Sequence, residues 1–167
     1  KPDPKIRERD LAYRGADGKI HYRMGLLKPR LQPYLDQGYT SLTLVLDNVP
    51  WCFPAKPHDG DVDAGGLGQC ASPRDPAEWH DFIKAVCEEL VKIMGRETAG
   101  KLRFRVGTEN GGRERFDGAQ EDYFRHYDDS ADAIREVLPE AQVGCYNISG
   151  ASVIALDFAL PSVPSVT

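Results

Sequence analysis

The chain lacks a basic tract, and no basic stripe with interleaved aromatics runs through it. Lys and Arg number 21 against 26 Asp and Glu, and the formal net charge is -5. Proteins that bind nucleic acid need a positive surface for the phosphates, so that class of partner is disfavoured. No apolar run approaches the length of a membrane span, so no membrane partner is expected either. Cysteine is sparse. The four residues, at 52, 70, 87 and 145, form no CxxC pair, which disfavours a zinc site. Cys52 and Cys70 flank one long loop and are near enough in sequence to be bridged. Cys87 falls on a helix face and Cys145 near a strand end, where buried free thiols are common. The redox compartment stays open. No leader is recognisable, and a first residue of Lys rather than Met leaves room for a processed or trimmed N-terminus.

What is present is ordinary for a globular domain. With 167 residues, 41% hydrophobic and 28% charged, the chain can bury one core, and a single domain over 1–167 is expected. Residues 1–25 are polar and broken by Pro2, Pro4, Gly15, Gly18 and Gly25; they read as loop, with a turn at Ala16-Asp17-Gly18. Leu27, Leu31, Tyr34 and Leu35 fall on one face of a helix over 26–37. Pro29 suits its first turn, Pro33 is awkward, and Gly38 follows its end.

Ser41 to Asp47 reads as a buried strand and closes on Asp47-Asn48 and then Trp51, a polar pair and an aromatic suited to a ligand platform. Trp51 as a core aromatic at the sheet end is an equal alternative. Residues 48–74 form one long loop without periodicity, a length that usually marks function or mobility. Asp59, Asp61 and Asp63 within it alternate as in a calcium loop. Ala64 in the sixth position and Cys70 in the twelfth break that pattern, and a solvated acidic loop is the stronger reading.

Asp75-Pro76-Ala77-Glu78 is a helix start, with Asp75 as N-cap, Pro76 first and Glu78 completing a capping box. Trp79, Phe82, Ile83, Val86, Cys87, Leu90, Val91 and Met94 then trace its apolar face. A further helix over 121–138 carries Tyr123 or Phe124, then Tyr127, Ala131, Ile134 and Leu138 inward, and Gln142 to Tyr146 forms a strand ending at Asn147. Residues 150–167 turn apolar without a clear period.

Between these helices lies KLRFRVGTEN. Leu102, Phe104 and Val106 alternate with Arg103, Arg105 and Gly107, and Glu109 continues the second parity beyond the strand. Strands alternating with crossover helices imply parallel pairing. Long polar loops after the strands fit a barrel whose working face is the strands' C-terminal end, where catalytic carboxylates sit. An open doubly wound α/β sheet is the alternative, although no glycine-rich phosphate loop follows the first strand.

Four segments carry a family resemblance. GYTSLTLVLDNVPWCFP resembles the third-strand region of family 39 glycoside hydrolases, and PAEWHDFIKAVCEELVKIMG resembles their next helix. FRVGTEN is similar to their fourth strand, which typically ends Asn-Glu-Pro. DYFRHYDDSADAIREVLPEAQVG is similar to the helix and strand that follow. The resemblance runs from about Tyr22 to Asn147 and implies a portion of a (β/α)8 TIM barrel, about strands 2/3 to 5. It also implies a retaining glycosidase with a carbohydrate substrate, no cofactor, and Glu109 as general acid/base. An extracellular or periplasmic location goes with the family.

Thr108 stands where the family has asparagine, and Asn110 where it has proline. With Trp51, Asn48, Tyr146 and Asn147, these two make up the expected sugar-binding residues. The family's nucleophile, a glutamate after the seventh strand, has no matching position, so the remaining barrel segment or a second chain is expected as a partner. A non-catalytic carbohydrate-binding remnant of the same fold, and an unrelated α/β domain, are the competing readings.

Overall fold

The computed structural model describes residues 8–39, 41–58, 69–110 and 115–147. Three short strands, β3 (Thr43–Leu46), β4 (Arg103–Val106) and β5 (Gln142–Cys145), pair in parallel in sequence order. Their register places Leu46 beside Val106 and Val106 beside Cys145, so all three strands end level. Asp47, Gly107 and Tyr146 are therefore the first residues past the sheet on one common edge. The crossovers are helical, as parallel pairing requires. Helix α2 (Pro76–Met94) joins β3 to β4, followed by the short α3 (Arg96–Gly100), and α4 (Gln120–Val137) joins β4 to β5. A helix α1 (Leu27–Asp36) precedes β3 and continues through Pro33.

Helix α2 forms where its sequence says it should. The Asp75 side chain accepts from the backbone N–H groups of Ala77 and Glu78, two of the donors that a helix start leaves unpaired. Glu78 does not complete a capping box. Its carboxylate is instead taken by Arg14, at 2.7 and 3.1 Å. The apolar face of α2, with Trp79, Phe82, Ile83, Val86 and Leu90, shares one core with Phe104 of β4 and Ile134 and Leu138 at the end of α4. Phe53 from the loop after β3 enters the same core, edge-on to Trp79 at 5.5 Å and against Phe82 at 5.1 Å.

Residues 8–25 are not all loop. Ala12–Arg14 (β1) and Ile20–Tyr22 (β2) form an antiparallel hairpin around the Gly15–Gly18 turn, where Gly18 adopts φ 77. The hairpin is anchored by the Arg14–Glu78 pair and by Ala12, which is buried in the core. Strand β3, expected to be buried, alternates exposed Thr43 and Val45 with half-buried Leu44 and Leu46, because only the leucine face packs on the core. All four cysteines are free thiols; Cys52 and Cys70 are not bridged, and Cys145 is exposed rather than buried. No helix among the described residues is long and apolar enough to cross a membrane.

Candidate active site

The edge where the three strands end carries a turn with unusual backbone. Strand β4 stops at Val106, so Glu109 is oriented by this turn rather than by strand alternation. Gly107 has φ 84, which glycine adopts freely. Glu109 has φ 54, and it is the one residue other than glycine with positive φ among the described residues. For a side chain with a Cβ, that region costs ~1–2 kcal/mol. Such strain concentrates at functional sites. A proline at 110 would push residue 109 towards extended backbone; asparagine there leaves it free to turn.

Three hydrogen bonds fix the turn. Thr108 N–H donates to Asn110 Oδ1 at 3.1 Å, Glu109 N–H donates to the Asn147 carbonyl at 3.1 Å, and Gly107 N–H donates to the Leu46 carbonyl at 2.8 Å. Neighbouring strands thus hold the turn on both sides.

Beneath it lies a small aromatic knot. The buried Tyr123 hydroxyl donates to the Val106 carbonyl at 3.0 Å and accepts from Tyr146 N–H at 3.2 Å. Burial holds that phenol well above its ordinary range. Phe116 and Tyr146 meet the Tyr123 ring edge-on at 5.6 and 5.1 Å.

Charge collects on this edge. The Glu109 carboxylate is a third exposed and lies 3.6 Å from the Arg115 guanidinium. Arg105, two residues before the turn, goes elsewhere: its Nη2 donates to the Thr108 hydroxyl at 3.1 Å. Asp47, at the end of β3, is half-buried. Burial raises its carboxyl above the ordinary range, against the Thr108 hydroxyl and the Arg115 and Arg105 guanidiniums, while Glu109 adds to the rise. Asp47, Asn48, Gly107, Asn110, Arg115 and His126 line one small cavity at this edge.

The position of Arg115 is set by a lateral tie. Ala71 bridges Asp117, Asp117 N–H donates to the Cys70 carbonyl at 3.0 Å, and His58 lies 3.2 Å from the Asp117 carboxylate and 3.1 Å from the Cys70 sulfur. The loop after β3 is thereby joined to the segment after β4.

Of the expected sugar-binding residues, Thr108, Asn48 and Asn147 stand with Glu109 on the strands' C-terminal edge. Asn147 Oδ1 is buried without a hydrogen-bond partner. Asn110 is buried with its amide turned back on the turn, and Tyr146 is buried against Tyr123. Trp51 lies in a different cleft of about 310 Å³, with Tyr13 and Arg14 of the hairpin and Arg23 after it, and its backbone N–H donates to the Asp10 carboxylate. Asp59, Asp61 and Asp63 lie outside the described residues, as does the segment 150–167. Among the described residues no group of three or more His, Cys, Asp or Glu side chains is placed to hold a metal ion. Sequence reasoning passed over Arg115 and His126. Neither has a periodic signal, and only the fold brings them under the turn.

Parallel strands in sequence order, helical crossovers and a polar working edge at the strands' C-terminal ends define a portion of a (β/α)8 barrel. Solved structures agree on that fold. A family 39 glycoside hydrolase from Xanthomonas axonopodis pv. citri superposes with a TM-score of 0.68 at 21% identity, over 90% of this chain and 30% of that one. A monomeric beta-xylosidase from Caulobacter crescentus CB15 gives 0.67 at 23% identity, over 85% and 28%. The description glycosyl hydrolases family 39 matches residues 66–158, and the chain belongs to that family. It is also 34% identical over 132 residues to an alpha-1,4-L-rhamnosidase of Formosa agariphila, a match covering 76% of this chain and 27% of that protein. The chain thus spans between a quarter and a third of the relatives it matches.

Proposed function

We propose that this chain supplies the acid/base side of a retaining glycoside hydrolase site, with Glu109 as the general acid/base. The observation that carries the reading is Glu109 itself, a carboxylate in a left-handed turn at the C-terminal end of a barrel strand. The chemistry needs the carboxylic acid to give its proton to the glycosidic oxygen as the C–O bond breaks. It then needs the carboxylate to take a proton from the water that releases the sugar. The Arg115 guanidinium lies 3.6 Å from that carboxylate. A second carboxylate, about 5 Å across the sugar from the first, comes from outside these residues.

Thr108, Asn48 and Asn147 stand beside Glu109 at this edge as the candidate contacts for sugar hydroxyls. The relatives are named for an L-rhamnoside and for beta-xylosides, which supports a glycoside of this general class as substrate. Among the described residues both outer strands of the three-stranded sheet lack a neighbour on one side, which suits further barrel segments as the partner.

The test uses the full-length protein carrying this chain. Alkyl glycosides, whose leaving group needs the proton, are assayed with wild type and Glu109→Gln, and sugar binding is measured by calorimetry. The reading expects turnover with retention at the anomeric carbon, read by NMR of the first product, and loss of turnover with binding kept in Glu109→Gln. Sugar binding without turnover in wild type would make this a carbohydrate-binding barrel instead.

A further inference from the structure

The left-handed backbone at Glu109 needs something to hold it, and the structure has a device for this on the side away from Asn147. Asn110 is only 5% exposed. Its side chain folds back under the turn, and its Oδ1 accepts from Thr108 N–H at 3.1 Å. The amide lies directly against the α-carbon of Gly107. A Cβ on Gly107 would stand 2.8 Å from Asn110 Cγ, and closer still to Nδ2. The seat therefore exists only because residue 107 has no side chain. The two residues enclose Thr108 and Glu109 as a clasp, whose outer side is the Glu109 N–H bond to Asn147.

We propose that Asn110 is a positioning residue: seated on Gly107 and bonded to Thr108 N–H, its side chain holds Glu109 in the left-handed turn that presents the carboxylate at the strand edge. This rests on Glu109 as the acid/base. It gives Asn110 a role other than touching sugar. Two demands follow from the geometry. Position 110 must supply an acceptor at Oδ1, and position 107 must supply a flat surface. Leucine fills the volume of asparagine without the acceptor. Aspartate keeps the acceptor.

The test compares Asn110→Leu, Asn110→Asp and Gly107→Ala in the full-length protein. Crystal structures of each variant read φ at Glu109, steady-state kinetics on an alkyl glycoside read kcat and KM, and thermal melts confirm folding. Displacing a catalytic group by about 1 Å costs on the order of 100-fold in rate. Asn110→Leu and Gly107→Ala are expected to lose kcat on that scale with KM within about twofold, and Glu109 to leave the left-handed region. Asn110→Asp, which keeps the acceptor, is expected to keep φ at Glu109.

If Asn110→Leu keeps the left-handed Glu109 and full kcat, the proposal is overturned. It is equally overturned if Glu109 leaves the left-handed region in Asn110→Asp as it does in Asn110→Leu. Should Asn110→Leu fail to fold, Asn110→Ala, which also lacks the acceptor, takes its place under the same criteria. Should wild type turn over no glycoside, the glycosidase reading fails alone, because φ at Glu109 in the variants still decides whether the clasp exists.

Discussion

His126 lies beneath the site and makes its stability depend on pH. The ring is buried between Trp79, with centroids 4.9 Å apart, and Phe116, at 6.0 Å, and its Nδ1 has no hydrogen-bond partner. Burial disfavours the charged form and pushes its pKa down to about 4, from an ordinary 6.5. In the native state the ring is therefore neutral where the unfolded chain already takes a proton. Above the unfolded value both states are neutral and His126 has no pH effect. As pH falls through 6.5 the unfolded state is favoured, and the loss levels off only below the folded value near 4. Linkage between these values puts the loss at about 2 kcal/mol by pH 5 and ~3 kcal/mol by pH 4. The assay is urea unfolding at about pH 7.5 and about pH 5 for wild type and His126→Gln, with the change between the two pH values compared. Other groups titrate in both proteins and cancel in that comparison. The expected result is a pH-dependent loss larger in wild type by about 2 kcal/mol. Equal losses in the two proteins would refute the reasoning.

Two further outcomes are expected. Trp79 Nε1–H donates to the buried Ser130 hydroxyl at 2.9 Å, and that hydroxyl donates to the His126 carbonyl at 2.7 Å. Ser130→Ala leaves the indole donor unpaired in the core, and denaturant melts should show a loss of about 1–3 kcal/mol. In a carbon-detected NMR titration, the Asp47 carboxyl should titrate above an ordinary aspartate, higher again in Arg115→Gln and lower in Glu109→Gln; unchanged values would mean the three groups are not neighbours in solution.

The parts of the fold legible in the sequence are those set by local rules. Helix α2 announces itself through Asp75, Pro76 and an unbroken apolar stripe, and it runs where those signals end. The KLRFRV alternation likewise gives β4, with Phe104 and Val106 inward. The hairpin was not legible, because its strands of three residues each are too short to show a period. What fixes it is a pair between Arg14 and Glu78, sixty-four residues apart.

The site divides in the same way. Glu109 could be named from its place after a strand and from its family resemblance. Its left-handed backbone could not, since that depends on Asn110 folding onto Gly107. Arg105 shares the strand parity of Glu109, yet among the described residues Arg115 is the cation that pairs with Glu109, while Arg105 donates to the Thr108 hydroxyl. His126 is buried on a helix whose expected stripe was drawn from apolar residues alone, so a polar ring in the core gave no signal.

The central claim is that Glu109 donates the proton to the leaving oxygen, and the dependence of rate on the leaving group tests it most directly. Glycosides with leaving groups from dinitrophenol to a simple alcohol are compared in wild type and Glu109→Ala. An activated phenol departs without a proton, whereas an alkoxide does not. The account predicts that bond cleavage by Glu109→Ala stays near wild type for dinitrophenyl glycosides and falls by about 100-fold or more for alkyl glycosides. An equal fall across the whole series would contradict it, and would place Glu109 in binding or folding rather than in proton transfer.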